Sequence, residues 1–258
     1  MAASAPVKVF ITGASSGIGA AIAREYARRG AQIGLFARRA EALTELAAAL
    51  GTASTVYPGD VRDRQALAAA AADFIARFGV PDVVIANAGI SHGTLSDHEE
   101  DNATFEAIMA TNVLGVLYTF QPFLSAMRKA HAGTLVGIAS IAGFRGLPGA
   151  GAYSASKAAA IRYLESLRVE LRGSGVAVVT VCPGYVATPM TARNPYRMPF
   201  LLPAGKAARL IVGAIARRKP FYVLPWPMGW LGRLFSALPR PLYDRLFARA
   251  KRKPRASG

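Results

Sequence analysis

Val7-Lys8-Val9-Phe10-Ile11-Thr12-Gly13-Ala14-Ser15-Ser16-Gly17-Ile18-Gly19 carries a short, β-rich apolar run through three spaced glycines into an Ala-rich stretch with helical character. A strand that turns through glycine into a helix opens a βα unit, and the missing side chains let another group approach the backbone closely. The G-x-x-x-G-x-G spacing at 13, 17 and 19 suits the phosphates of a dinucleotide at a helix N-terminus. Tight turns need glycine in any fold, so the reading depends on the rest of the chain.

Beyond Gly19 the alternation repeats. Apolar, β-branched runs near 7–12, 32–37, 55–58, 83–86, 133–138, 177–182 and 221–224 read as strands. Helical stretches near 18–29, 40–50, 64–78, 104–128, 153–172 and 204–218 fill the intervals. Continuous apolar strands separated by helices build a parallel sheet covered on both faces. The expectation is a single-domain α/β protein with a Rossmann-type, doubly wound parallel sheet of about seven strands, its ligands at the carboxyl ends of the strands. No internal repeat or long low-complexity linker interrupts this pattern.

A chain of 258 residues with 52% hydrophobic content supports one substantial core. Met1 to Pro6 carries no basic n-region, and Val7 to Thr12 is too short for a signal peptide or a span, which predicts a cytoplasmic protein. The single cysteine, Cys182, lies in a β-like run and reads as a small core residue. His92, His98 and His131 are scattered without ligand spacing, and no metal is assigned to them.

The strongest chemical signal is Tyr153 with Lys157, preceded by Ser140. Four residues apart on a helix, a phenol and an ammonium share one face. A phenol of ordinary pKa, about 10, is a poor base at neutral pH, and a neighbouring cation favours its ionised form. The second strand ends Phe36-Ala37-Arg38-Arg39 with no acid between Gln32 and Ala40. At that position an acid accepts from ribose hydroxyls and an arginine accommodates a 2′-phosphate, so NADP(H) is preferred over NAD(H), with Arg38 as the main determinant. Asp60-Val61 follows the third strand, where Asp60 accepts from an adenine amino group or caps the next helix. Asn87-Ala88-Gly89 after the fourth strand either turns the backbone beneath a cofactor or is simply a turn.

In this order, Thr12 to Gly19, Asp60, Asn87 to Gly89, Asn112, Ser140, Tyr153, Lys157 and Pro183-Gly184 resemble the short-chain dehydrogenase/reductase family over about residues 7 to 224. The resemblance implies reversible hydride transfer between NAD(P)H and a carbonyl or alcohol. It assigns Tyr153 as proton donor, Lys157 to the nicotinamide ribose, Ser140 to the substrate oxygen, and Asn112 to a water that relays protons to the lysine. It also implies cofactor contacts from Gly13, Ser15, Ser16, Gly17, Ile18, Gly19, Asp60, Val61, Asn87, Ala88, Gly89, Pro183, Gly184, Val186 and Thr188, and a homodimer or homotetramer. A substrate lid is expected near 188–203, where Met190, Tyr196, Met198, Phe200, Leu201 and Leu202 argue for an apolar or lipid-like substrate.

The net charge of +16 is concentrated at one end, where residues 217–258 hold eleven Lys and Arg against one acid, Asp244. The chain divides into a catalytic domain, 1–225, and a basic amphipathic extension, 226–258. Leu242, Leu246 and Phe247 share one helical face in the extension, which fits either a contact with an anionic membrane or an arm packed on protein with its terminal Lys251 to Arg255 solvated. Nucleic acid is not a partner on this reading, because a charged tail lacks base-reading architecture. The alternative to an enzyme is an NADP(H)-binding regulatory or scaffold protein acting through this tail.

Overall fold

The computed structural model describes residues 5–248 and 252–255. In chain order the elements are β1 (Lys8–Thr12), α1 (Gly17–Ala27), β2 (Gln32–Ala37), α2 (Ala40–Leu50), β3 (Ser54–Pro58), α3 (Arg64–Phe78) and β4 (Val83–Ala86). There follow α4 (Asn102–Met109), α5 (Gly115–Lys129), β5 (Thr134–Ile138), α6 (Gly151–Glu170) and β6 (Ala177–Pro183). The C-terminal part contains β7 (Val186–Ala187), β8 (Leu202–Pro203), α7 (Ala204–Ala216), β9 (Phe221–Leu224), α8 (Trp226–Ala237) and α9 (Arg240–Phe247).

Seven strands form one sheet in the order β3-β2-β1-β4-β5-β6-β9, every neighbouring pair parallel. The chain winds outward from β1 to β3, returns to the middle at β4 and winds the other way. The reversal places a crevice at the carboxyl ends of β1 and β4.

The two faces are read off the strands with a period of two. Val9 and Ile11 of β1 join the core under α1 and α7, while Phe10 between them points into the core under α3, α5 and α6. On that second face Phe10 meets Phe74 edge-on at 5.6 Å and Phe123 at 4.9 Å between ring centres. Gly34 in β2 makes this possible, since a Cβ there would lie 2.7 Å from both the Phe10 and Phe74 rings. Gly137 in β5 does the same for Leu164, whose Cδ1 would be 2.3 Å from an added Cβ.

The strand and helix positions expected from the sequence are all occupied, with three differences. First, the expected helix 104–128 is interrupted by a π turn at Ala110–Leu114. The whole run Glu99–Lys129 has the length and hydropathy to cross a membrane, but here it buries Ile108, Val116, Phe120 and Phe123 in protein. Second, α3 is capped by Asp63, which accepts from Gln65 N and Ala66 N, leaving Asp60 outside the helix. Third, β7 and β8 pair in parallel through Val186 and Leu202, closing the base of the segment between them.

The extension folds back on the body. Arg145 donates from Nη1 to the carbonyls of Phe235, Ser236 and Leu238 at 2.8, 3.2 and 2.7 Å, gathering the orphan end of α8. The same guanidinium lies 4.1 Å from the Tyr243 ring centre, and Tyr243 Oη donates to the Gly146 carbonyl. The segment between Ser140 and Tyr153 is therefore held from outside by α8 and α9.

Candidate active site

The crevice begins with the glycine turn. Gly13 and Gly17 adopt φ of +65° and +57°, the left-handed region in which a side chain is strained. Asn87 holds this turn by donating from Nδ2 to the carbonyls of Thr12 and Gly13, both at 3.1 Å. Thr12 Oγ1 in return accepts from Asn87 N at 3.2 Å and donates to the Ile85 carbonyl at 3.3 Å, stitching β1 to β4. A Cβ on Gly19 would lie 2.3 Å from the Gly13 carbonyl oxygen, so the third glycine admits the close packing of α1 against the turn. Ser16, at the N-cap of α1, makes no side-chain cap bond, which leaves helix N–H groups and a hydroxyl directed at the crevice.

The far end of the crevice is cationic. Arg39 donates from Nη2 to Ser15 Oγ at 3.1 Å, and Arg38 lies 4.0 Å from Asp60. Arg62 grips Asp60 more tightly, with Nη2 to Oδ2 at 2.7 Å and Nε to Oδ2 at 3.0 Å. That guanidinium is the main reason the Asp60 carboxyl is held below its ordinary pKa, against the opposing effect of partial burial. Arg39 belongs to the site alongside Arg38, and its adjacency was the available signal.

The reacting end gathers side chains from three strand ends and two helices. Lys157, buried on α6, donates from Nζ to the Ile138 carbonyl at 2.8 Å and lies 5.9 Å from the Tyr153 ring centre. Burial lowers its pKa to about 8. Burial raises the pKa of Tyr153, and a hydrogen bond with Ser140 opposes the rise. The expected lowering by Lys157 therefore does not set the direction, and the phenol keeps its proton at neutral pH. Ser140 Oγ also accepts from Ala142 N at 3.1 Å. Cys182 is fully buried in β6, where desolvation pushes its thiol up to about 12 and keeps it neutral.

Asn112 occupies the π turn and is fully buried. Its Oδ1 accepts from Ile90 N at 2.9 Å, and its Nδ2 donates to the Ile90 carbonyl and to Ser156 Oγ, both at 3.0 Å. A Cβ on Gly89 would meet Asn112 Oδ1 at 3.2 Å and Lys157 Nζ at 3.5 Å, so this glycine brings the backbone after β4 against both side chains.

A continuous cleft of about 430 Å³ joins the two ends. Its walls include Gly13, Ser15, Ser16, Gly17, Ile18, Arg38, Asp60, Val61, Asn87, Ala88, Gly89, Ser140, Tyr153, Lys157, Pro183, Gly184, Val186 and Thr188. Gly19 and Asn112 stand behind that surface and support it. Ile90, Thr111 and Thr191 also line the cleft, positions the motifs did not single out. Thr191 Oγ1 donates to the Val186 carbonyl at 2.6 Å and accepts from Thr188 N at 3.0 Å, fixing the turn that carries Thr188. An open helix N-terminus, a glycine cradle, cations at one end and a protonated phenol beside a buried lysine at the other together fit an elongated, anionic nicotinamide dinucleotide. Among the described residues no cluster of three His, Cys, Asp or Glu side chains is arranged to hold a metal ion.

The comparisons agree with this geometry. Residues 7–197 match the family model for short chain dehydrogenases. An uncharacterized oxidoreductase of Myxococcus xanthus is 39% identical over 237 residues, 91% of this chain and 93% of that one. A short-chain dehydrogenase/reductase from Burkholderia phymatum, solved with NAD, superposes with a TM-score of 0.81 at 26% identity, over 96% of this chain and 97% of that one. An alcohol dehydrogenase from Thermococcus sibiricus, solved with 5-hydroxy-NADP, gives a TM-score of 0.77 at 27% identity over 84% and 95%. The chain thus belongs to the short-chain dehydrogenase/reductase family, oxidoreductases that use a nicotinamide cofactor on alcohol and carbonyl groups.

Proposed function

We propose that this oxidoreductase is an NADPH-dependent carbonyl reductase acting on a substrate with an apolar body. The observation that carries the reading is one cleft joining Arg38 and Arg39 at its far end to Tyr153, Lys157 and Ser140 at the other. The nicotinamide supplies the hydride. Tyr153, protonated at neutral pH, gives its proton to the carbonyl oxygen as the carbon is reduced, while Ser140 donates to the same oxygen and stabilises its developing charge. Lys157 holds the nicotinamide ribose and favours the tyrosinate left behind. Asn112 keeps the backbone at Ile90 and the α6 face at Ser156 in register with that lysine. A scaffold that only binds NADP(H) needs none of this proton-transfer set, which speaks against the regulatory alternative.

Two features support the finer specificity. Arg62 holds the Asp60 carboxylate at 2.7 Å while Arg38 stands 4.0 Å from it, which leaves the Arg38 guanidinium only loosely engaged and able to turn its donors to a 2′-phosphate. Met190, Phe200 and Leu201 are exposed on the segment between β7 and β8, apolar surface that a substrate would cover.

The extension carries a second proposal. Trp226, Trp230 and Leu234 repeat every four residues on α8 and are 74%, 67% and 60% exposed, with Leu242 and Leu246 exposed on α9. Arg233, Arg240 and Arg245 are exposed among them. Such a face suits peripheral contact with an anionic membrane, and the helices are too short to span it.

Replacement of Tyr153 by Phe should lower the rate of NADPH oxidation with ketones by about 10²–10⁴-fold, while fluorescence titration still detects NADPH binding; an active variant excludes the assigned proton donor. For the native protein, reductive kcat/KM should decline as pH rises through about 8, where free Lys157 loses its charge. A profile flat from neutrality to beyond that point removes Lys157 from the mechanism. Arg38→Ala should weaken NADPH by about tenfold to a hundredfold and leave NADH nearly unaffected; equal losses for both cofactors contradict the 2′-phosphate contact. Phosphatidylserine vesicles should sediment the protein at low salt and release it at high salt, with Trp226→Ala/Trp230→Ala weakening the interaction several-fold. A dimer or tetramer that covers this face instead leaves the protein in the supernatant.

A further inference from the structure

The described end of the chain, Arg252–Arg255, does not lie free in solvent as a solvated tail. It runs beside the segment that follows β4. Gly93 N donates to the Pro254 carbonyl at 2.8 Å, Gly93 and Arg255 form a parallel bridge, and Thr94 forms another with Ala150 at the start of α6. Two glycines give it room. A Cβ on Gly93 would lie 2.2 Å from the Lys253 carbonyl oxygen, and one on Gly149, at φ +73°, would lie 2.9 Å from Arg252 Cβ and Cγ. Arg255 anchors the seat through Asp101, Nε to Oδ2 at 2.9 Å, and Glu100, Nη2 to Oε1 at 2.7 Å. Asp101 is almost wholly buried, so this pair is an anchor of a different order from a surface contact.

The seat delivers one side chain to the reacting end. Lys253 Nζ donates to Ser91 Oγ at 2.7 Å and lies 5.7 Å from the Tyr153 ring centre, close to the 5.9 Å of Lys157. The phenol thus has two ammonium groups beside it, one from its own helix and one from the tail. Among the described residues Lys253 forms no ion pair with a carboxylate, and Glu100 and Asp101 pair with Arg255. Desolvation lowers the Lys253 pKa to about 8. Burial, helped by the positive charges of Lys253 and Arg193, holds the imidazole of His92, next to Ser91, below its ordinary pKa. The positive charge beside the proton donor therefore comes from Lys157 and Lys253, while His92 is held in its neutral form. A half-buried ammonium held, among the described residues, by a hydroxyl and a ring face is under-compensated, and an anion would restore the lost solvation.

We propose that Lys253 is a substrate-recognition residue, seated by the C-terminal tail to pair with a carboxylate on the carbonyl substrate. The proposal rests on the reductase reading and narrows its substrates to oxo-acids whose apolar portion extends under the segment between β7 and β8. Lys253 takes no part in the proton transfer. It selects which carbonyl compound stays long enough to be reduced.

The test compares an acid with its own ester. Levulinate and methyl levulinate share a ketone and differ in the anion, so the ratio of their kcat/KM values removes any shared effect on chemistry. The native protein should favour the acid, and Lys253→Met should lower that ratio by about tenfold to a hundredfold, chiefly through KM, with Lys253→Arg recovering most of it. A ratio unchanged in Lys253→Met overturns the proposal. Calorimetric titration of the NADPH complex with octanoate and octanol provides a readout independent of turnover. Octanoate should bind more tightly than octanol, and the difference should vanish in Lys253→Met. Equal binding of acid and alcohol overturns the anion site while leaving the reductase reading intact. A Lys253-dependent preference for octanoate in a protein that reduces no ketone sustains the anion site and refutes the reductase reading.

Discussion

Burying the Lys157 ammonium is the constraint to which the carboxyl ends of β4, β5 and β6 are fitted. A lysine nitrogen removed from water must be compensated or lose its charge. The Ile138 carbonyl at the end of β5 supplies one acceptor. Room for the side chain comes from Gly89 after β4, and Gly143 lets the turn after Ser140 pack directly on the α6 backbone, where a Cβ would be 2.7 Å from the Lys157 carbonyl carbon. The π turn at Asn112 completes the enclosure, since one extra residue in the helix turns a polar amide inward to join the Ile90 backbone and Ser156. Tyr153 then shares an environment that favours its neutral form, as the proposed proton donation requires.

Much of the scaffold was legible because its signals are local. Val9 and Ile11 face one core and Phe10 the other because a strand alternates, and each βα unit announces itself through an apolar run followed by helical spacing. The motif residues were legible for another reason: their chemical types recur at strand ends in a fixed order, and the fold brings nearly all of them to one cleft. The π turn was not readable, since Asn112 within Ile108 to Tyr118 marks an anomaly without specifying its geometry. Nor was the helix cap, because Asp60 and Asp63 are both good caps three residues apart; in the fold Asp63 caps α3 and Asp60 pairs with Arg62.

The hardest part to read was the extension. Basic and aromatic residues in 226–247 suggest an amphipathic surface, and α8 and α9 do expose one. Their other attachments depend on partners far away in sequence, such as Arg145 with Phe235 and Leu238, or Arg255 with Asp101. No periodicity encodes a pairing across 154 residues. A tail of Lys and Arg looks solvated in composition even when individual members are seated by glycines that read, in sequence, as ordinary turn residues.

The clamp formed by Arg145, Tyr243 and the tail separates two kinds of work within one chain. The glycine turn, Asn112, Ser140, Tyr153 and Lys157 all precede β6, whereas the outer support of the segment between Ser140 and Tyr153 comes from residues after β9. Changes after β9 can reshape that wall without replacing any of the residues proposed to carry out the proton transfer. Substrate preference in such an architecture can change while the core stays as it is, so closely similar cores need not act on the same compound.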